Sequence, residues 1–407
     1  MADGIVSYAG LSDPRLEGEY LFAYVSRRAR EHAGELLDLG VGDVTLPLPR
    51  VMAGALVAAA REMGSVRGFR GYPPCGGYDF LRRAVARHYL DGGVDIDPQE
   101  VYISDGAKRE LADLPRLLGH TCAYIPDPTY PAYRDVNIAL GNEIHTMPCG
   151  EDGSLPMPRA EYGCGIYYIC SPSNPTGAVY DTAALAAWVV HVRRVRGLII
   201  FDAAYADYIP PEDTAHPRTI YAIEGARECA VEVASFSKSA GFTGLRCGHT
   251  DIPREIRVGR GGRADGISKA AESVSLARLY ERYRSVSSNG VAYPVQRAAE
   301  AALTKAGRAA VRGCVEYYLK NAARLARALD DAGIAHAPAG ASPYVWGQCP
   351  AGYDSRGFFD YLLDEAGILS TPGAGFGDGG AGHFRLSAFA PRRVIDAAAE
   401  KLVGLSF

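Results

Sequence analysis

The chain has no C-x-x-C pair, no apolar run long enough to cross a bilayer and no large surplus of charge, and each absence closes off a class of protein. Its nine cysteines, at 75, 122, 149, 164, 170, 229, 247, 314 and 349, are odd in number and scattered. Neither a disulfide framework nor a zinc knuckle is indicated, no metal is expected, and the thiols read as reduced, buried small apolar residues. A formal net charge of -4 over 407 residues carries no polyanion signal, so no nucleic acid is expected as a partner and any anion site must be local. The opening stretch "MADGIVSYAGLSDPRLEGEYLF" lacks a basic segment followed by an apolar core, so neither export nor membrane insertion is expected and the reading is cytoplasmic. Internal repeats and low-complexity linkers are missing too. So is a G-x-G-x-x-G after the first strand, which removes a nicotinamide dehydrogenase from consideration.

What is present is ordinary for a globular chain: 48% hydrophobic and 22% charged residues, with length for two structural units. Short segments rich in Val, Ile and Tyr, "EVYIS" (100–104), "TCAYIP" (121–126), "GIYYIC" (165–170), "GLIIFD" (197–202), "AVEVASFS" (230–237) and "LRCGHT" (245–250), have the continuous apolar character of strands covered on both faces. Helical patterns at 107–118, 131–140 and 182–196 lie between them. That order predicts an α/β fold with a mostly parallel sheet and helices on both faces. From about 296 the texture becomes a long amphipathic helical region, then short strands near 342–348 and 382–389. The expected organisation is a large domain over 37–291 and a smaller α+β domain made of 1–36 plus 292–407. The Gly/Arg-rich stretch 252–271, with Arg254, Arg257, Arg260 and Arg263, reads as an extended loop, either solvated or able to cover an anionic co-substrate such as a nucleotide.

Open α/β sheets place ligands at the ends of their strands. "IIFDAAY" ends a strand at Asp202 with Tyr205 just beyond; "YICSPSNPTG" ends another with Asn174 before a Pro-Thr-Gly turn; "ISDGAK" ends a third and opens a helix. Free N–H groups at that helix start, with Ser235 and the Arg246 guanidinium, suit a phosphate. A carboxylate at a buried strand end suits a partner that keeps a proton, such as a pyridinium nitrogen, and Tyr130 in "DPTYPAY" can stack on a flat ring. In "SFSKSAGFTGLRCG" (235–248) one amine, Lys238, stands among small residues with Arg246 downstream. Partly desolvated beside cations, such an amine has a depressed pKa and forms Schiff bases.

Taken together, "SPSNPTG", "DAAY", "SFSKSAGFTGLRCG" and "FRLSAF" resemble the pyridoxal-phosphate enzymes of the aspartate-aminotransferase superfamily, fold type I, class I/II. "GVGDVTLPLP" (40–49), "GYPPCGGYDFLR" (71–82), "YISDGAK" (102–108), "AIEGAREC" (222–229) and "SSNGVAYPVQRAAEA" (287–301) are similar to the LL-diaminopimelate aminotransferase family. The resemblance implies pyridoxal 5'-phosphate as cofactor, an amino acid as substrate, and a homodimer with shared sites. Lys238 would carry the cofactor as a Schiff base and move the proton at Cα; Asp202 would face the pyridine nitrogen; Asn174 and Tyr205 would contact the ring hydroxyl oxygen; Tyr130 would stack. Ala107, Lys108, Ser235 and Arg246 would bind the phosphate, with Tyr72 reaching in from a second subunit. Arg385 would clamp the substrate carboxylate, and Tyr20, Gly42, Lys108, Asn174 and Asn289 would line the substrate pocket, with Cys75 at its far end. Plainer readings stand beside these: Asp202 as a helix cap, Lys108 as a solvated helix start, Asn289 as a turn residue.

The departures from the family pattern fall in the distal pocket. Cys75 replaces the acid expected in "GYPPCGGY", no basic residue stands just ahead of Asn289, and Ala206 follows "DAAY" where an acid is usual. A lost charge-assisted hydrogen bond to a desolvated ammonium is worth about 1.5–3 kcal/mol, enough to change the preferred amino acid. The reading is therefore aminotransferase-type chemistry on a different substrate. Two alternatives remain: β/γ-elimination, replacement or C–C bond formation in natural-product biosynthesis, on an amino acid with a γ leaving group such as S-adenosylmethionine, or a catalytically silent cofactor-binding regulator.

Overall fold

A computed structural model describes residues 13–259 and 273–405. The chain runs through helix α1 (Leu21–Glu31), strand β1 (Leu37–Asp38), α2 (Arg50–Met63) and α3 (Asp79–Asp91) before entering the large sheet. There follow β2 (Val101–Ser104), α4 (Ala107–Leu118), β3 (Cys122–Asp127), α5 (Pro131–Ala139), β4 (Glu143–Pro148), β5 (Ile166–Cys170), α6 (Thr182–Arg194), β6 (Leu198–Asp202), β7 (Ala230–Ser235) and β8 (Gly248–Asp251). The sheet has seven strands in the order β2-β8-β7-β6-β5-β3-β4, all parallel except β8, which runs antiparallel to both neighbours. The α/β fold with a mostly parallel sheet is thus present as expected, with differences at the strand ends. β8 begins at Gly248 rather than near 245, because Arg246 sits in the left-handed region (φ +62°) and turns the chain there.

Alternation along the central strands explains their apolar runs. Tyr167, Ile169, Ile199 and Phe201 face one core; Ile166, Tyr168, Leu198 and Ile200 face the other. With both faces covered, neither strand has a polar side, so the pattern is continuous rather than alternating. By the same alternation Asp202 shares the face of Leu198 and Ile200, where Tyr133 and Tyr168 lie.

Beyond the sheet, β9 (Arg257–Gly259), a strand inside the 252–271 stretch expected to be an extended loop, pairs antiparallel with β10 (Ser273–Ser275) just past it. Arg254 is tied to Asp97 and Gln99, and Arg257 to Ser273; Arg260 and Arg263 lie outside the described residues. Then come α7 (Leu276–Ser287), α8 (Tyr293–Leu303) and the 27-residue α9 (Lys305–Asp331), the last two separated at Thr304, whose side chain accepts from the Gly307 N–H and caps α9. β11 (Tyr344–Gln348), α10 (Ser355–Ala366), β12 (Ile368–Leu369), β13 (Thr371–Pro372), β14 (His383–Ser387) and α11 (Arg392–Val403) complete the fold. β11, β14 and β13 make a three-stranded antiparallel sheet, and β1 pairs with β12. Leu37 and Leu39 pack into the core of this second unit beside Leu325, Ile368 and Leu386, whereas Val291, Ala298 and Ala302 of the α8 region pack into the large one. The Asp127 carboxylate, at the end of β3, accepts from the Gly379 N–H and joins the two units close to the strand ends.

Candidate functional site

At the carboxyl ends of β5, β6 and β7 the two cores meet. Lys238 follows β7 in a tight turn, half-buried, and its Nζ donates to the Gly42 carbonyl while lying 5.6 Å from the Phe389 ring centre. Burial, opposed by Asp43 and reinforced by the Arg385, Arg246 and Lys108 cations, brings the amine from 10.5 down to about 8. The approach demands a glycine at 42, because a Cβ there would strike the Tyr344 hydroxyl. An amine of pKa 10.5 is almost wholly protonated at neutral pH, whereas one near 8 has a substantial neutral fraction. Attachment of an aldehyde to the apoprotein is therefore expected to accelerate with pH around a midpoint near 8 rather than near 10.5, read as the rate of appearance of the bound chromophore.

Asp202, last residue of β6 and 5% exposed, accepts from the Tyr133 hydroxyl (2.6 Å) and the Ala204 N–H (3.0 Å). Burial pushes its pKa up, against those two donors. Among the described residues this carboxylate meets two donors and no cation, so it is incompletely satisfied, and a protonated ring nitrogen answers that need.

The anion cradle forms where α4 starts. Its cap, Gly106, has φ +116°, and a Cβ there would collide with Arg246 Nη2. Arg246 is held by Nη1 bonds to Ser237 Oγ and the Thr243 carbonyl, both 3.2 Å. Ser235 sits opposite Gly248 in the β7–β8 pair, and a Cβ on Gly248 would lie 3.1 Å from Gly106 Cα and 3.4 Å from Ser235 Cα. The free N–H groups of Ala107 and Lys108, one hydroxyl and one guanidinium thus converge from three separate elements.

Arg385 is wholly buried. It donates to Asn174 Oδ1 (2.7 Å), the Gly40 carbonyl (3.0 Å) and Thr371 Oγ1 (3.4 Å), and packs on the Tyr344 ring at 4.2 Å. Its Nε has no partner. No acid pairs with the guanidinium among the described residues, so a ligand carboxylate is the missing counter-charge. Tyr205 bonds the Tyr344 hydroxyl at 2.7 Å, and Lys108 Nζ lies 5.5 and 5.9 Å from the Tyr20 and Tyr130 rings. A continuous set of contacts therefore joins Lys238, Gly42, Tyr205, Asn174 and Arg385.

Tyr72, Cys75 and Asn289 stand elsewhere. Tyr72 is 87% exposed and Asn289 is exposed. Cys75 is half-buried with Sγ 3.9 Å from the Glu281 carbonyl, and Gly290 packs against Pro73 and Pro74. Three contributors were not singled out in the sequence: Tyr133, Tyr344 and Ser237. Each hides among apolar or small neighbours and is identified only by its hydrogen bond.

A family model described as aminotransferase class I and II matches residues 34–402. The chain belongs to the class I and II aminotransferases. It is 40% identical to an LL-diaminopimelate aminotransferase of Prochlorococcus marinus (strain MIT 9303), over 96% of this chain and 98% of that one. Among solved structures it is similar to the L,L-diaminopimelate aminotransferase of Chlamydomonas reinhardtii (32% identity, 95% and 96% of the chains, TM-score 0.86). A probable N-succinyldiaminopimelate aminotransferase of Thermus thermophilus matches at 29% identity over 94% and 99%, with a TM-score of 0.79. As a class I/II aminotransferase the chain is a pyridoxal-phosphate-dependent transferase of fold type I. Among the described residues no helix is long and apolar enough to cross a membrane.

Proposed function

We propose that this aminotransferase binds pyridoxal 5'-phosphate at Lys238 and takes the amino group from an α-amino acid other than diaminopimelate. Support for the cofactor comes from Gly106, whose missing side chain leaves the cradle open beneath Arg246, and from the buried, cation-lacking Asp202. The bound cofactor supplies an electron sink for the charge left at the substrate's Cα. Asp202 keeps the ring nitrogen protonated. Asn174 and Tyr205 would hold the ring hydroxyl and Tyr130 the ring face, while Ala107, Lys108, Ser235 and Arg246 would hold the phosphate. Lys238 accepts the proton leaving Cα and returns one, a role for which a pKa near 8 suits it better than an ordinary lysine. Arg385 takes the substrate carboxylate through Nε and the fork beside it. Tyr20 and Lys108 edge the pocket.

Tyr72, Cys75 and Asn289 act on a partner subunit's site. This reading is favoured by the exposure of Tyr72 and Asn289, by the packing of Gly290 on Pro73 and Pro74 that brings the two segments together, and by the exposed apolar side chains Val66 and Phe69 just ahead of Tyr72 in the chain. The protein is then a homodimer with two shared sites. The observation that carries the substrate reading is Cys75, a neutral thiol where the family pattern has an anion.

The test is a set of half-reactions in which amino acids, diaminopimelate and S-adenosylmethionine included, are mixed with the holoenzyme. Conversion to keto acid and aminated cofactor marks transamination. Release of a side-chain fragment without amino transfer marks elimination, and no conversion of any substrate marks a silent regulator. Diaminopimelate is expected to react poorly, and Cys75→Glu to raise its kcat/KM by about 10- to 150-fold, the equivalent of 1.5–3 kcal/mol. Diaminopimelate reacting in the wild type as fast as the best amino acid would sink the changed-substrate reading.

A further inference from the structure

At the far side of the large sheet, where β3 and β4 begin, three ligand-type side chains meet. The two strands pair in parallel with Cys122 opposite Glu143 and Tyr124 opposite His145. The period of two puts all four side chains on one face. One ligand atom each from Cys122, Glu143 and His145 lies within 4.8 Å of the others. Glu143 Oε2 is 3.8 Å from the Cys122 Sγ and Oε1 is 3.2 Å from His145 Nε2. The His145 ring is fixed by stacking on Tyr124, 4.9 Å between centres and 17° between planes.

We propose that Cys122, Glu143 and His145 form a binding site for one divalent, thiolate-accepting cation of the zinc type, with solvent completing the coordination. Zinc bonds of about 2.3 Å to sulfur and 2.0–2.2 Å to nitrogen and oxygen place tetrahedral ligand atoms roughly 3.3–3.5 Å apart. The two measured separations, to Oε2 and Oε1 of Glu143, lie near that spacing, and with the three ligand atoms inside 4.8 Å of one another occupancy asks for side-chain rotation that draws them together. Charge balances as well: one thiolate and one carboxylate neutralise the dication, and imidazole binds uncharged. Burial and the nearby Glu143 carboxylate hold the Cys122 thiol above its usual pKa, so the free site is protonated and binding releases that proton to solvent. Soft sulfur and borderline nitrogen together disfavour magnesium and calcium. The site belongs to the amino end of β3, roughly 16 Å along the strand from Asp127 at its carboxyl end. It therefore plays no part in the transfer chemistry.

Zinc retention by the holoenzyme after gel filtration gives the stoichiometry, and cobalt(II) serves as the optical probe. The expected result is one zinc per chain and visible d–d bands of tetrahedral cobalt. Cys122→Ser and His145→Ala should each weaken binding by at least about tenfold, with turnover of the best amino acid unchanged. Cys164→Ser, at the neighbouring thiol, should bind as the wild type does. Absence of retained zinc, or retention that both ligand variants leave intact, would overturn the proposal.

Discussion

Lys238→Ala is expected to fold and to bind pyridoxal 5'-phosphate non-covalently, yet to lose about 10³-fold or more in kcat. The argument begins with what the side chain does in the resting protein. Among the described residues its amine donates only to the Gly42 carbonyl and lies over the Phe389 face, so truncation removes no ion pair there and leaves one carbonyl for water to satisfy. Removing an amine that the site holds partly desolvated should leave the melting temperature of the apoprotein unchanged or raised. Catalysis behaves oppositely. A positioned proton-transfer group contributes about 10²–10⁴-fold, and the lost covalent attachment adds to it. Borohydride reduction followed by peptide mapping should label position 238 in the wild type and no lysine in the variant. A small primary amine added to the variant should recover part of the rate, in proportion to its unprotonated fraction. Retention of a borohydride-trapped adduct elsewhere with near-normal kcat would show that another amine carries the cofactor.

That experiment tests a residue that was plain in the sequence, and the reason is instructive. Asp202 closes the wholly apolar run of β6 and stands out against it, while Asn174 and Lys238 lie three or four residues past the ends of β5 and β7 in the small-residue motifs that marked them. The central strands were legible for the same reason. β4 was not, because "EIHTMP" forms an edge whose side chains are mostly part-exposed, and its mixed polarity resembles a loop. Arg385 was visible as a charge in an apolar strand, but its environment was not. Two of its three acceptors, the Gly40 carbonyl and Thr371 Oγ1, come from segments outside its own motif, and a carbonyl carries no side-chain signal at all. Tyr344 and Tyr133 carry no sequence signal of their own, because by burial they are core aromatics; only the position of each hydroxyl separates them from Tyr168 or Tyr318. The Cys122–Glu143–His145 group was invisible to spacing rules, since its members are brought together by strand pairing rather than by a local motif.

Asp202→Asn should cost about 10²–10⁴-fold in kcat/KM while leaving the apoprotein at least as stable as the wild type. In the apoprotein this carboxylate is buried against its own solvation, with its pKa held up by burial and relieved only by Tyr133 and the Ala204 N–H. An amide of the same shape carries no such penalty, so thermal denaturation without cofactor should not move downward. With the cofactor bound, the comparison reverses. Breaking one partner of a buried charge pair costs about 3–5 kcal/mol, and the asparagine cannot balance a protonated ring nitrogen. If that loss falls on the transition state, it corresponds to the stated range in rate; the part that falls on binding shrinks the rise in melting temperature on adding cofactor. Tyr133→Phe separates the two roles of the network. It keeps the Asp202 charge and deletes one hydrogen bond, so a loss of roughly tenfold is expected, and the apoprotein becomes more sensitive to pH because a donor that lowers the Asp202 pKa is gone. The sign follows from the linkage: removing that donor raises the folded-state pKa further above the unfolded value, and a carboxyl group raised on folding is destabilising where it must ionise. Stability of the Tyr133→Phe apoprotein relative to wild type should therefore decline as pH increases through the carboxylate range. Equal losses for the amide and the phenylalanine variants would mean that the charge on Asp202 is not what the chemistry uses.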